Sequence, residues 1–399
     1  MKRVIISAFV VAALLILAGC EKSFMPAGSE ITAFEVIRVL GIDKSEDSGE
    51  IEVSVIAERA KPSPGEEGGG MSYEVMSEAA PTAFEAVSKL REKSDKKLAL
   101  GHVDYIIFGE AAARDNLTKY ADYPARSPEI RYSPRIFIAR GAVKELLSDT
   151  SSGDKFIGDV LDNLRSGVRF RSDFALVRSI DLINMLDRKD MAAVIPLLET
   201  KEIEEELIDG EEPEKELSAA GYAIIRDFEL AGFFEGTSAR GYNFLTNNAR
   251  TSTYSVPDGR GGYVALDVLS DGVKIAPRFD DRGELIGVTY TISVNAGIAE
   301  QSSRVNLQTD DGFSRLSNKL AAKIEGEARE AIAKSKELGI DCFDLGDKLR
   351  VRLPHTWREI KDNWRENYVN LNIDVKADAA VRRVYDLREP VGRMGNRNA

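Results

Sequence analysis

The chain is poor in the side chains that most often do chemistry: 399 residues contain two cysteines, two histidines and two tryptophans. Cys20 closes an N-terminal apolar run, so Cys342, His102 and His355 remain. Structural zinc takes four nitrogen or sulfur ligands, and these three fall short of it unless carboxylates help. A disulfide framework is excluded on the same count. A nucleophilic triad needs a histidine base oriented by a carboxylate. His102 heads an apolar strand pattern and His355 stands between Pro354 and two tryptophans, so both read as structural or surface residues. Gly259-Arg260-Gly261-Gly262 lacks the Lys-Ser/Thr of a phosphate loop and precedes a strand pattern, so it reads as a turn. Asp280-Asp281 is one adjacent pair among 66 acids and gives no glycosidase geometry. No cofactor motif is found, and a formal charge of -12 argues against nucleic acid as a partner.

What the chain does have begins at its N-terminus. Lys2 and Arg3 precede fifteen residues, Val4 to Ala18, that are apolar apart from Ser7, the pattern of a secretory signal. A bilayer-spanning helix needs roughly 20 such residues. The run ends in Leu17-Ala18-Gly19-Cys20, which resembles the lipobox of bacterial lipoproteins. There the cysteine thiol receives a diacylglyceryl group and the preceding peptide is removed. The expectation is a signal peptide over 1–19, lipidated Cys20 as the first mature residue, and a tether over 20–30. Two acyl chains anchor stably, at about 0.8 kcal/mol per buried CH₂. The body would then sit on a membrane outside the cytoplasm.

Loss of residues 1–19 removes two positive charges and leaves -14, of which Glu199–Glu216, with ten acids and two lysines, holds -8. Like charges repel and extend a chain, so 199–216 is expected as an acidic linker. Before it, over 31–198, strand patterns at 37–43, 51–57, 73–77, 102–109, 135–139 and 192–198 are interleaved with helical ones at 80–90, 111–120, 142–147, 156–164 and 181–186. After it, over 217–387, two strands flank an Arg226-Asp227 turn between Gly221 and Phe234. A helix follows at 239–246, with strands at 264–268, 273–279 and 285–296 and a last one at 371–381. The longest helix signal runs through Phe313, Leu316, Leu320, Ile324, Ala328, Ile332 and Leu338, with Gly339 placed to close it. Hairpins mixed with helices, without strict alternation, make the fold class α+β. The C-terminal region divides near 285, and 388–399 reads as a flexible tail. Trp357 and Trp364 would share one face if their segment is a single helix. Core packing and a partner-contact anchor are then both open.

Several segments, in order, resemble the Ger(x)C family of spore germination lipoproteins. They are the lipobox at Cys20, Val39-Leu40-Gly41-Ile42-Asp43, Leu100-Gly101-His102-Val103, Phe108-Gly109-Glu110 and Arg126-Ser127-Pro128-Glu129-Ile130-Arg131. Later come Gly221–Phe234, Asp341-Cys342-Phe343-Asp344-Leu345-Gly346, Pro354-His355-Thr356-Trp357 and Trp364. The resemblance covers about residues 17 to 385. Two departures are the long acidic run and a last strand that continues as Arg383-Val384-Tyr385-Asp386-Leu387 instead of Thr-Gly. The resemblance implies three tandem α+β domains, no catalysis, and a role as the C subunit of a nutrient germinant receptor. Such a subunit is lipid-anchored on the outer face of the spore inner membrane and works with membrane-embedded A and B subunits. Alternatives from other classes are an extracytoplasmic solute-binding lipoprotein, which needs a polar interdomain cleft, and a cell-wall hydrolase.

Overall fold

The computed structural model of the protein describes residues 33–60, 71–150, 156–168, 171–188, 192–202, 215–249, 251–259, 261–302, 307 and 309–384. In chain order the first half forms β1 (Phe34–Val36), β2 (Val39–Lys44), β3 (Ile51–Ala60), β4 (Met71–Ala80), α1 (Ala83–Lys93), β5 (Lys97–Ala99), β6 (Tyr105–Phe108) and α2 (Glu110–Arg126). It continues as β7 (Arg135–Ala139), α3 (Val143–Thr150), α4 (Ile157–Gly167), β8 (Val177–Arg178), α5 (Ser179–Leu186) and β9 (Ala193–Glu202). The second half forms β10 (Lys215–Arg226), β11 (Glu229–Phe234), α6 (Gly236–Thr246), β12 (Ser252–Pro257), β13 (Tyr263–Phe279) and β14 (Leu285–Gln301). Then come α7 (Asp310–Glu337), α8 (Leu345–Arg352), α9 (Pro354–Ile360), α10 (Trp364–Asn370) and β15 (Asn372–Val384). The α+β class read from the sequence holds.

The main sheet has the order β11-β10-β9-β7-β6-β2-β3-β4, with β8 also on β7. Its middle, β9-β7-β6-β2, is parallel, and antiparallel hairpins flank it on both sides. Parallel strands need both faces covered, which is why Tyr105-Ile106-Ile107-Phe108 is buried throughout. Alternate residues feed two cores. Ile106, Phe108, Ile136 and Ile138 pack with α1, α2 and α5, while Tyr105, Ile107 and Phe137 pack with α3 and α4.

The acidic run does not separate two sheets. Its ends lie in β9 and β10, which pair antiparallel with Lys215 opposite Glu202 and Glu216 opposite Lys201. Lys215 pairs with Asp149 at the end of α3 and Lys201 with Glu199 of its own strand, and the ladder itself makes 199–202 and 215–216 strand where a linker was expected. The hairpin β10–β11 turns at Asp227 and Phe228, both at positive φ. It also locks onto α2, which breaks at Asn116: the freed Leu117 N–H donates to the Phe228 carbonyl at 2.8 Å, and the Asn116 side chain caps Thr118 N–H at 3.1 Å.

A second sheet, β12-β13-β14-β15, buries one face under α6 and α7. Both of its edges are closed by side chains of α7. Lys319 and Lys323 donate to the carbonyls of Pro257 and Ser255 on β12. Glu325 and Ser317 accept from Ala377 and Val381 N–H on β15, and Arg329 donates to the Val375 carbonyl. An uncovered edge invites another strand, and here one helix satisfies two. The sequence patterns at 264–268 and 273–279 are a single strand, β13, which Gly272 does not interrupt. The long helix forms as expected, with Thr309 capping Gly312 N–H and Gly339 at φ +68 just beyond its end.

Candidate functional site

The Gly-Ile-Asp at the end of β2 places Asp43 at the carboxyl ends of the parallel strands, the end at which α/β sheets commonly bind ligands. Asp43 is 4% exposed. Its carboxylate accepts from the N–H groups of Lys44 (2.8 Å), Ala112 (3.1 Å) and Val143 (3.1 Å), the latter two in the first turns of α2 and α3. Burial pushes the carboxyl up from its ordinary value, and these three N–H groups oppose that shift. The neighbouring glycines make room for it: a Cβ at Gly109 would overlap the Asp43 carboxylate, and one at Gly41 would meet Val143 Cγ1 at 2.5 Å. Glu110 closes the cap by accepting from Gly141 N–H at 3.2 Å and pairing with Arg114. Helix N-termini are natural anion sites. Here the anion is the chain's own carboxylate, so the place where a phosphate would dock is filled from within.

Asp341 builds a matching cap in the second half. Buried in the loop between α7 and α8, it accepts from Phe343 N–H (2.9 Å), Gly346 N–H (2.8 Å) and Trp364 Nε1 (3.3 Å). Gly346 is required because a Cβ there would stand 2.8 Å from Trp364 Nε1 and 2.9 Å from Trp357 Cη2. The two tryptophans are brought together, with ring centroids 5.2 Å apart and edge to face, but not on one helix. Trp357 is on α9 and Trp364 begins α10, with a 3₁₀ turn at Lys361–Asn363 between them. Trp364 is 2% exposed and offers no surface to a partner, whereas Trp357 is half-buried. Core packing therefore wins for Trp364, because its indole N–H finds its acceptor inside.

The remaining sequence candidates are dispersed. His102 and His355 are exposed, the latter beside the Arg358 guanidinium. Asp280 accepts from Arg282 and Glu284 N–H and so shapes the β13–β14 turn. Gly259 and Gly261, both at positive φ, bracket the β12–β13 turn. Cys20 lies outside the described residues. Burial pushes the Cys342 thiol up to about 12, beside Ser335 and the Ile340 carbonyl. Native Cys342 should therefore stay unmodified by a thiol reagent at pH 8 and react fully once the chain is unfolded in urea, a difference of at least about 10³-fold in rate, since only thiolate attacks.

Asp43 and Asp341 were not singled out as sites in the sequence. The signal was present as a glycine two residues before one aspartate and five after the other, but spacing does not reveal which amides a carboxylate meets. An open groove of about 530 Å³ lies where α1 starts and α2 ends, lined by Ile51, Pro81, Phe84, Tyr123, Arg126 and Pro128. Phe84 is 64% exposed there, and Glu129 at the rim is held by both oxygens to Arg91.

Two family models match the chain in tandem: "Spore germination protein N-terminal domain" over residues 28–200 and "Spore germination B3/ GerAC like, C-terminal" over 220–385. The chain belongs to the Ger(x)C family. Similar proteins include spore germination protein KC of Bacillus subtilis (strain 168), 23% identical over 98% of this chain and 98% of that protein. Spore germination protein GerQC of Bacillus cereus is 21% identical over 79% of this chain and 83% of its own length. The crystal structure of the GerBC protein shares the fold, with a TM-score of 0.52 at 17% identity over 87% of this chain and 97% of that one. The two aspartate caps fall one in each matched Ger(x)C segment. Of the residues that carried the resemblance, Asp43 thus fastens two helices to the main sheet and Asp341 fastens α8 and α10 to their loop.

Proposed function

We propose that the chain is the lipid-anchored C subunit of a spore nutrient germinant receptor, a non-enzymatic body on the outer face of the spore inner membrane that acts by contact with membrane-embedded A and B subunits. The observation that carries this reading is the collinear match to spore germination proteins through both halves, end to end in the case of protein KC. The self-filled anion site at Asp43 supports a body that presents surfaces over one that turns over a small anionic substrate. Diacylglyceryl on Cys20 would hold the body in a thin layer beside the membrane subunits, raising its effective concentration so that modest interfaces suffice.

Cys20→Ala is the test. The folded body should keep its thermal midpoint, leave the membrane fraction, and slow nutrient-triggered germination by at least about tenfold through lost effective concentration. Retention and germination equal to wild type would overturn the reading. The denatured mature protein offers an independent count, because lipidation leaves Cys342 as its one free thiol.

A further inference from the structure

The tether enters the described fold at Ala33, and β1 follows immediately, paired in parallel with β5 so that Phe34 opposes Lys97 and Val36 opposes Ala99. This corner has an unusual surface for a chain of net charge -12. Val36 is 50% exposed. Lys97 lies over the Phe34 ring, 5.9 Å from its centroid. Arg131 lines a shallow hollow with Val36, Gly101 and His102. Neighbouring cations are neutralised: Arg38 meets Asp104, Asp159 and Asp162, and Lys96 meets Glu35. Among the described residues neither Lys97 nor Arg131 has an ion-pair partner.

Chain length then says what lies opposite. The thirteen steps from Cys20 to Ala33 span at most about 45 Å. A globule of this size has a radius of gyration of about 21 Å and a diameter nearer 55 Å. A lipid at Cys20 therefore keeps the far side off the bilayer and leaves this corner within reach of it. Exposed cations beside an aromatic ring, here Phe34, and an aliphatic side chain are the composition that settles at anionic headgroups, where the cations meet phosphate and the rings lie at the interface.

We propose that the corner formed by Phe34, Val36, Lys97 and Arg131 is the membrane-contacting face of the protein, seated on anionic lipid headgroups. It rests on the lipid-anchor reading of Cys20 and adds an orientation: the body docks with β1 and β5 down. Each cation at an anionic surface strengthens attachment about fivefold, so reversing two should be felt strongly.

The test uses the full mature lipidated chain in phosphatidylcholine vesicles with or without phosphatidylglycerol. An environment-sensitive dye is placed at Val36→Cys, or at Tyr263→Cys on the other sheet as a control, with native Cys342 protected by burial. With phosphatidylglycerol present, the dye at 36 should shift to the blue and be quenched by brominated lipid, while the dye at 263 reports water. Lys97→Glu with Arg131→Glu should weaken that quenching by at least about tenfold and remove its salt dependence. Both substituted residues are exposed, so an unchanged thermal midpoint verifies folding. Equal quenching at 36 and 263, quenching independent of phosphatidylglycerol, or no response to the charge reversals would each overturn the proposal. The mass of the N-terminal peptide separates the two readings. Acylated Cys20 with a water-exposed dye at 36 defeats the face alone, whereas an unmodified Cys20 defeats the anchor and the face together.

Discussion

Replacing Asp43 with alanine should lower the unfolding free energy by about 3–5 kcal/mol, because a buried acceptor shared by two helix N-termini is lost and its N–H partners are stranded without water. Asp43→Asn keeps one acceptor oxygen but sets an amide nitrogen where the other received an N–H, so this variant should fall between alanine and wild type. Gly109→Ala should destabilise the wild-type chain because its new methyl overlaps the Asp43 carboxylate. In the Asp43→Ala background that overlap disappears, and the second substitution should be relieved by about 1–3 kcal/mol relative to simple addition. Equilibrium urea unfolding of the two single variants and the double variant measures this coupling. Strict additivity would show that Gly109 is not there for the carboxylate.

Trp364→Ala should be nearly as severe, at about 3–5 kcal/mol, since it empties the space beneath Gly346 and strips a donor from Asp341. Trp364→Phe keeps most of the volume and loses the Nε1 hydrogen bond, for about 1–2 kcal/mol. Trp357→Ala should be milder than Trp364→Ala because that ring is only half-buried. Thermal unfolding ranks the three. A surface anchor for a partner would behave in the opposite way, with an unchanged midpoint in Trp364→Ala and a loss confined to receptor assembly.

Periodicity served best where burial was one-sided or long. The apolar stripe from Phe313 to Leu338 made α7 legible because a 28-residue helix repeats its period many times. Short parallel strands such as β6 were legible as apolar runs, since both of their faces are covered. The 199–216 run misled because charge density reports solvation and not pairing: Glu202 and Lys215 stay exposed although their backbones pair in a ladder. The tryptophan pair misled for a related reason. Seven-residue spacing implies a common helix face only if the helix is continuous, and the turn at Lys361–Asn363 breaks it while tertiary packing restores the contact.

Local order along the chain was enough to establish the α+β class and the succession of family motifs, because each depends on neighbours within a turn or two. Which strands lie side by side, why the motif glycines stand where they do, and that Asp43 gathers amides from two helices while Asp341 holds a remote indole N–H depend on atoms brought close from distant positions. Val143 donates to a carboxylate one hundred residues earlier, and Trp364 to one twenty-three residues earlier. Linear spacing carries no record of such meetings, since the packing of the cores alone sets their geometry.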